Sequence, residues 1–335
     1  MSERIKEPLS ECQHHCQYVD HLGAQCEAAA GSSGLCFWHD PNTDKSGEDI
    51  ASRLEQYAAQ GGMLHGLALQ HANLEGVNLV KRHSKTGYDL TACDFYRANL
   101  RGAHLFNASI CKGSLMKADL TGANIHCVHL EECNLLGVKL IKAKIDNVKI
   151  GKKLLQEQRA EQALKENDLN SAWDNYEQAE EIYRDLRKAS EQQGLFTLAG
   201  PFLQQELKMR RYQMPKWSFA RLFSKTVDLF CGYGEDPLRV VLFSILLIIV
   251  SAIFYFIFGI SFAGEIVSFN VNHSIMENFI SLLECLYYSV VTFTTLGYGD
   301  FTPIGLSRGM AAIEAFTGSF TIALFVVVFV KKMTR

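Results

Sequence analysis

The chain has 335 residues, of which 48% are hydrophobic and 21% charged, with a formal net charge of −3 at pH 7. So even a balance excludes attachment to nucleic acid through bulk positive charge, and the composition fits two or three small soluble units joined to a short membrane segment. Ten cysteines in a chain with no export pattern at its start are expected to be thiols or metal ligands rather than disulfides.

Taken in chain order, the first unit is expected over residues 1–45. Cys16, Cys26, Cys36 and His39 stand as Cys-x9-Cys-x9-Cys-x2-His, with glycines at 23, 31 and 34 for tight turns. Three thiolates and an imidazole suit a closed tetrahedral Zn2+ site, and Cys-x2-His has the short spacing that lets two ligands grip one ion. Cys12, His14, His15 and His21 compete as ligands. Redox-active or unliganded thiols are the alternative readings. The spacing resembles a small metal-binding module at the front of assorted bacterial proteins; the implied zinc is structural, because four protein ligands leave no open position.

Residues 46–150 follow a period of five. Bulky apolar residues recur at Leu64, Leu69, Leu74 and Leu79, then every fifth residue from Leu90 to Ile150, with a small or β-branched residue two positions before most of them. Neither the helical nor the strand period produces this pattern. Ala98-Asn99-Leu100 and Ala118-Asp119-Leu120 are typical units, and the segment resembles the pentapeptide-repeat family, which implies a right-handed quadrilateral β-helix. Seventeen such positions make a little over four coils. Leu79 to Leu90 is eleven residues, so a one-residue bulge or a loop is expected through Lys81 to Gly87. Some members of that family imitate DNA, which needs a negative face. Residues 62–150 hold eleven Lys plus Arg against seven Asp plus Glu, so a docking surface for a protein partner, an oligomerisation surface or a spacer is expected, and no nucleic acid.

Residues 151–214 switch to helical spacing, with Ala172, Tyr176, Ala179, Tyr183, Leu186 and Ala189 on one stripe. Gly194 and Gly200-Pro201 punctuate the run, which predicts an antiparallel helix pair acting as a connector, loosely similar to one tetratricopeptide unit. Over residues 215–236, Trp217, Ala220, Phe223, Val227 and Phe230 interleave with Lys216, Arg221 and Lys225, the pattern of an interfacial amphipathic helix.

Residues 237–335 carry the membrane signal. Val240 to Phe262 has no ionisable acid or base, and Gly309 to Val330 is interrupted only by Glu314. Each is long enough to cross a hydrocarbon core of about 30 Å. Phe279 to Thr292 is apolar but shorter, and leads into Thr295-Leu296-Gly297-Tyr298-Gly299-Asp300. This last segment resembles the potassium-channel pore signature, with Leu296 where the family more often has Val. The resemblance implies a re-entrant pore helix and a filter whose inward carbonyls replace the hydration shell of K+, with Gly297 and Gly299 supplying positive φ. Tyr298 would brace the ring, Thr294 and Asp300 would support it, and Gly318 sits where the family often has a hinge. Ile322, Val326 and Val330 follow at helical spacing as pore-lining candidates.

Glu314, a carboxylate inside a span, is expected to be functional or paired, facing either the cavity or the pore helix, where Thr292, Thr294 or Tyr288 could donate to it. Relatives often carry a Glu that pairs with the position of Asp300; here Val291 stands in its place. One chain offers one filter strand, so the mechanism implies a homotetramer. Lys331, Lys332 and Arg335 after the second span, and Arg210 to Arg239 before the first, predict cytoplasmic termini. The expected protein is thus a multidomain, non-enzymatic potassium channel in the bilayer of a bacterial inner membrane. A membrane-anchored interaction protein and a cation channel of relaxed selectivity are the rivals.

Overall fold

The computed structural model describes residues 15–81 and 84–334, in two units that divide between Met214 and Pro215. Cys12, His14, Arg335 and residues 82 and 83 of the predicted loop lie outside the described residues.

The first unit opens on two antiparallel bridges, His15 with Ala29 and Val19 with Gln25. A helix, α1 (Ile50–Ala59), occupies the start of the segment expected to be all repeat. It buries Ile50, Leu54 and Ala58, a four-residue spacing that gives way to the five-residue period only at Leu64.

Parallel bridges then link Asp89 with Ser109, Asp94 with Ser114, Asn99 with Asp119 and His104 with Asn124. Residues twenty apart are therefore stacked neighbours, and four five-residue steps complete each coil. The backbone closes the stack: Leu90 donates to the Ser109 carbonyl at 2.7 Å, and Asn124 to the Ala103 carbonyl at 2.8 Å. Leu74, Leu100, Leu105 and Ile110 are fully buried inside, with Ala72, Ala98 and Ala103 beside them. In the first coil the pairs are Ala68 with Asp94, Asn73 with Asn99 and Asn78 with His104, twenty-six residues apart. The insertion between Leu79 and Leu90 is thus of six residues rather than one: eleven residues make one five-residue step plus six, which keeps every later side in phase.

Each corner is a type II turn. The Leu69 carbonyl accepts from the Ala72 amide at 3.2 Å, and His71 between them has φ +56°. The same position recurs as Arg97, Lys112, Lys117 and Lys142, all with φ between +54° and +58°. A type II turn needs positive φ at its third residue, so these side chains sit in a conformation that glycine adopts without strain.

Three helices follow, not a pair: α2 (Leu155–Lys165), α3 (Leu169–Gln192) and α4 (Phe196–Gln213). The additional break falls at Asn167, with φ +59°, and Asp168, whose side chain accepts the Ser171 amide at 3.1 Å as an N-cap. Gly194 does separate two helices, but Gly200 and Pro201 lie inside α4. Pro201 is the sixth residue of α4, past its first turn, so it costs the helix one amide-to-carbonyl bond without ending the run. The predicted stripe from Ala172 to Ala189 is buried. Its side chains join one apolar core that extends through the coils to the cysteine cluster.

The second unit begins with α5 (Phe219–Cys231), whose apolar residues Phe219, Leu222, Phe223 and Leu229 are exposed. Trp217, just ahead of it, is 100% exposed. Gly232, Tyr233 and Gly234, all at positive φ, turn the chain into α6 (Pro237–Phe258). The expected span to Phe262 is cut short: Gly259 adopts φ +88° and the chain enters β1 (Ile260–Phe262). Strand β2 (Glu265–Val267), helix α7 (Ile275–Phe293), strand β3 (Phe301–Pro303) and helix α8 (Ser307–Met333) complete the chain. The strands form a small antiparallel sheet in the order β2-β1-β3, which the apolar pattern had not revealed. Both α6 and α8 are long and apolar enough to cross a membrane. The shorter α7 packs against both and starts with a capping box, Ser274 accepting from the Glu277 amide and Glu277 from that of Ser274.

Candidate functional site

Residues 294–300 continue directly from α7. The Thr295 amide donates to the Thr292 carbonyl and the Leu296 amide to that of Val291, each at 3.0 Å, so the end of the helix fixes the start of the segment. Thr294 donates its hydroxyl to the Val290 carbonyl at 2.7 Å. Beyond, φ is +57° at Thr295, +58° at Gly297 and +79° at Gly299, while Leu296 and Tyr298 stay at negative φ. Alternating hand turns successive peptide dipoles to the same side, the backbone geometry that an ion-coordinating strand requires. The positive φ at Thr295 went unread because nothing in a threonine announces it. The segment is uncovered on the single chain, with Leu296 61% and Tyr298 68% exposed.

Asp300 accepts from the Phe301 amide at 3.0 Å.

Glu314 is 0% exposed. Its Oε2 accepts from the Tyr255 hydroxyl of α6 and its Oε1 from the Ser289 hydroxyl of α7, both at 2.5 Å. Of the two orientations considered, it faces the helix, not a cavity. Its donors differ from the Thr292, Thr294 and Tyr288 expected, because Ser289 is the residue that the phase of α7 turns toward α8. One carboxylate thereby ties three helices.

Gly318 is buried, and a Cβ there would lie 2.1 Å from the Phe293 carbonyl oxygen. Helix α8 runs unbroken through it, so the structure gives this glycine a close-packing role at the root of the 294–300 segment. Ile322, Val326 and Val330 are exposed on the single chain. At the other end of α8, Lys331 Nζ lies 2.5 Å from Glu235 Oε1 in the turn after α5.

In the first unit, Cys16, Cys26, Cys36 and His39 are all buried, with their ligand atoms within 4.8 Å of one another. Cys36 Sγ lies 3.1 Å from His39 Nδ1 and 4.0 Å from Cys26 Sγ, and Cys16 Sγ lies 3.6 Å from the same nitrogen. These separations match the edges of a tetrahedron around zinc, about 3.8 Å for Zn–S bonds of ~2.3 Å. His39 Nε2 donates to the His65 carbonyl at 2.8 Å, which fixes the tautomer and leaves Nδ1 facing the sulfurs. Tyr18 stacks on the ring at 4.1 Å. Burial, reinforced by the neighbouring Cys26 and Cys16, pushes the Cys36 thiol up to about 12, and burial lowers His39. Deprotonated thiols at this spacing need a cation among them.

Residues 242–335 match the family model described as ion channel, and residues 114–150 match that of pentapeptide repeats in eight copies. Neither is an enzyme family. Among solved structures, the chain is similar to HetL, a pentapeptide repeat protein involved in heterocyst differentiation regulation from Nostoc sp. strain PCC 7120. The identity is 29% over 24% of this chain and 37% of that one, at a TM-score of 0.14. It is also similar to alr5209, a pentapeptide repeat protein from Nostoc PCC 7120, at 28% identity over 29% of this chain and 74% of that one, with a TM-score of 0.18. The chain thus spans just over a third of HetL and about three quarters of alr5209. No curated protein matches the chain.

Proposed function

We propose, from a chain that joins an ion-channel domain to pentapeptide repeats, that four copies close a potassium-selective pore through which K+ moves down its gradient. The observation that carries this reading is the alternation of positive φ at Thr295, Gly297 and Gly299 on a segment rooted in α7 and uncovered on the single chain. Four such strands around an axis make stacked rings of carbonyls from Thr295 to Tyr298, and dehydrated K+ held at adjacent levels repels its neighbour enough to keep moving. Tyr298 and Asp300 act as outer supports, with Thr294 beneath. Ile322, Val326 and Val330 line the inner cavity, and the contact of Gly318 with Phe293 couples α8 to the filter root.

On the positive-inside rule the charged flanks support a reading with both termini in the cytoplasm, and the pore belongs to the inner membrane of a bacterium. There the Cys3His cluster holds a structural Zn2+, and the repeat surface docks a protein partner or assembles the tetramer.

The test is flux from liposomes containing the purified full-length protein, with K+ and Na+ gradients compared. K+ efflux far above Na+ efflux is expected. Equal fluxes would favour the channel of relaxed selectivity; no flux, even with residues 1–214 removed, would favour a membrane-anchored interaction protein.

A further inference from the structure

A second group of ligands lies beside the cysteine cluster and is not used by it. Asp20, His21 and His65 bring one ligand atom each to within 4.8 Å of the others. The two imidazoles stack with ring centroids 5.5 Å apart. Asp20 Oδ1 accepts the amides of Leu22 and Ala24 at 2.9 and 2.8 Å, an arrangement that fixes the carboxylate and leaves Oδ2 for another partner. His65 Nε2 lies 3.1 Å from Asp89 Oδ2, while its Nδ1 is buried without a hydrogen-bond partner among the described residues. A carboxylate behind one ring nitrogen and nothing on the other is the arrangement that orients a metal-binding histidine.

We propose that Asp20, His21 and His65 form a second, exchangeable site for a divalent transition-metal ion. Two imidazoles and one carboxylate suit Zn2+, Co2+ or Ni2+ rather than Mg2+ or Ca2+. Three protein ligands leave a position open to water, and His21 is exposed, so this ion exchanges where one enclosed by three thiolates and an imidazole does not. The two sites share His65: its side chain is a ligand of the second, and its carbonyl holds the His39 ring of the first. Occupancy of the open site therefore stiffens the residue that orients His39. The inference rests on the reading of the cysteine cluster only for this link.

The experiment loads the full-length protein in detergent with Co2+, dialyses it against a weak chelator, and counts metal per chain while recording the thiolate-to-cobalt absorption band. Two ions per chain are expected on loading; dialysis removes one and leaves the band unchanged. His21→Ala, at an exposed position, and Asp20→Asn, which keeps the turn acceptor, each bind a single ion with the band intact. Asp89→Asn weakens the exchangeable ion about 10- to 100-fold. A single ion that carries the thiolate band in the unmodified protein, or two ions in both ligand variants, would overturn the proposal. Failure of the cysteine-site reading has its own signature, the absence of the band while one labile ion is still counted.

Discussion

The repeat coils and the channel unit bury opposite things. In the coils Leu74, Leu100 and Leu105 are wholly enclosed, and their corners present Arg97, Lys112, Lys117 and Lys142. In the channel unit Leu242, Leu246, Ile257 and Phe316 are exposed, whereas Ser251, Ser289 and Glu314 are fully buried. The difference reflects the solvent of each unit. A coil meets water and completes its core within one chain, because each turn covers the apolar face of the next. A membrane helix meets hydrocarbon, gains nothing from hiding leucine, and turns its few polar groups inward toward one another.

The largest effect expected of a single change tests the channel side of this contrast. Gly299→Ala places a Cβ at φ +79°, and selective K+ flux from liposomes should be lost while the thermal unfolding of the first unit is unchanged. Survival of selective flux would detach conduction from this backbone.

Paired truncations probe the contrast itself. Leu105→Ala, inside a coil, should cost about 2–5 kcal/mol. Leu246→Ala, on the outer surface of α6, should cost under about 0.5 kcal/mol. Urea unfolding of the full-length protein in detergent, followed by circular dichroism, reads both, and equal costs would break the comparison.

Acid sensitivity separates the helical connector from both. Burial alone would raise the Glu180 carboxyl. Arg210 at 2.9 Å, Gln213 at 2.8 Å and Arg184 at 2.6 Å outweigh that effect and hold it below the usual carboxylate range. A depressed folded value contributes stability that is complete above the unfolded value, about 4.3, and is lost as pH falls toward the folded one. The melting temperature of the unmodified protein should therefore exceed that of Glu180→Gln at pH 7, and the gap should close below about pH 4.

The smallest effect expected is a gain. Lys117→Gly relieves a type II corner at φ +58° and should raise the stability of the coils by about 0.5–1 kcal/mol, seen as a higher urea midpoint. The same exchange at Lys139, which is not among the positive-φ residues, should not.

Much of the architecture was legible because it is periodic. A narrow coil accepts one bulky residue per side, so the fifth-residue pattern from Leu90 to Ile150 and the coil it builds come from one constraint. Two long apolar runs, the second interrupted only by Glu314, marked α6 and α8 in the same way, and Cys-x9-Cys-x9-Cys-x2-His marked the four residues that fold into one cluster. Helix α1, the break at Asn167 and the small sheet around β1 left weaker traces, since short elements carry too few residues to set a period.

What the sequence determined by itself was the local rule in each region: which side chains the coil interior accepts, which helices suit hydrocarbon, and which residues carry metal-binding atoms. Tertiary structure alone decided the partners across distance. Glu314 met Tyr255 and Ser289, Gly318 met the Phe293 carbonyl, and His65 came to stand between two ligand clusters more than twenty residues away from either in sequence. The physical reason is that periodicity records which face a residue occupies, whereas the neighbour across that face is set by how whole elements pack.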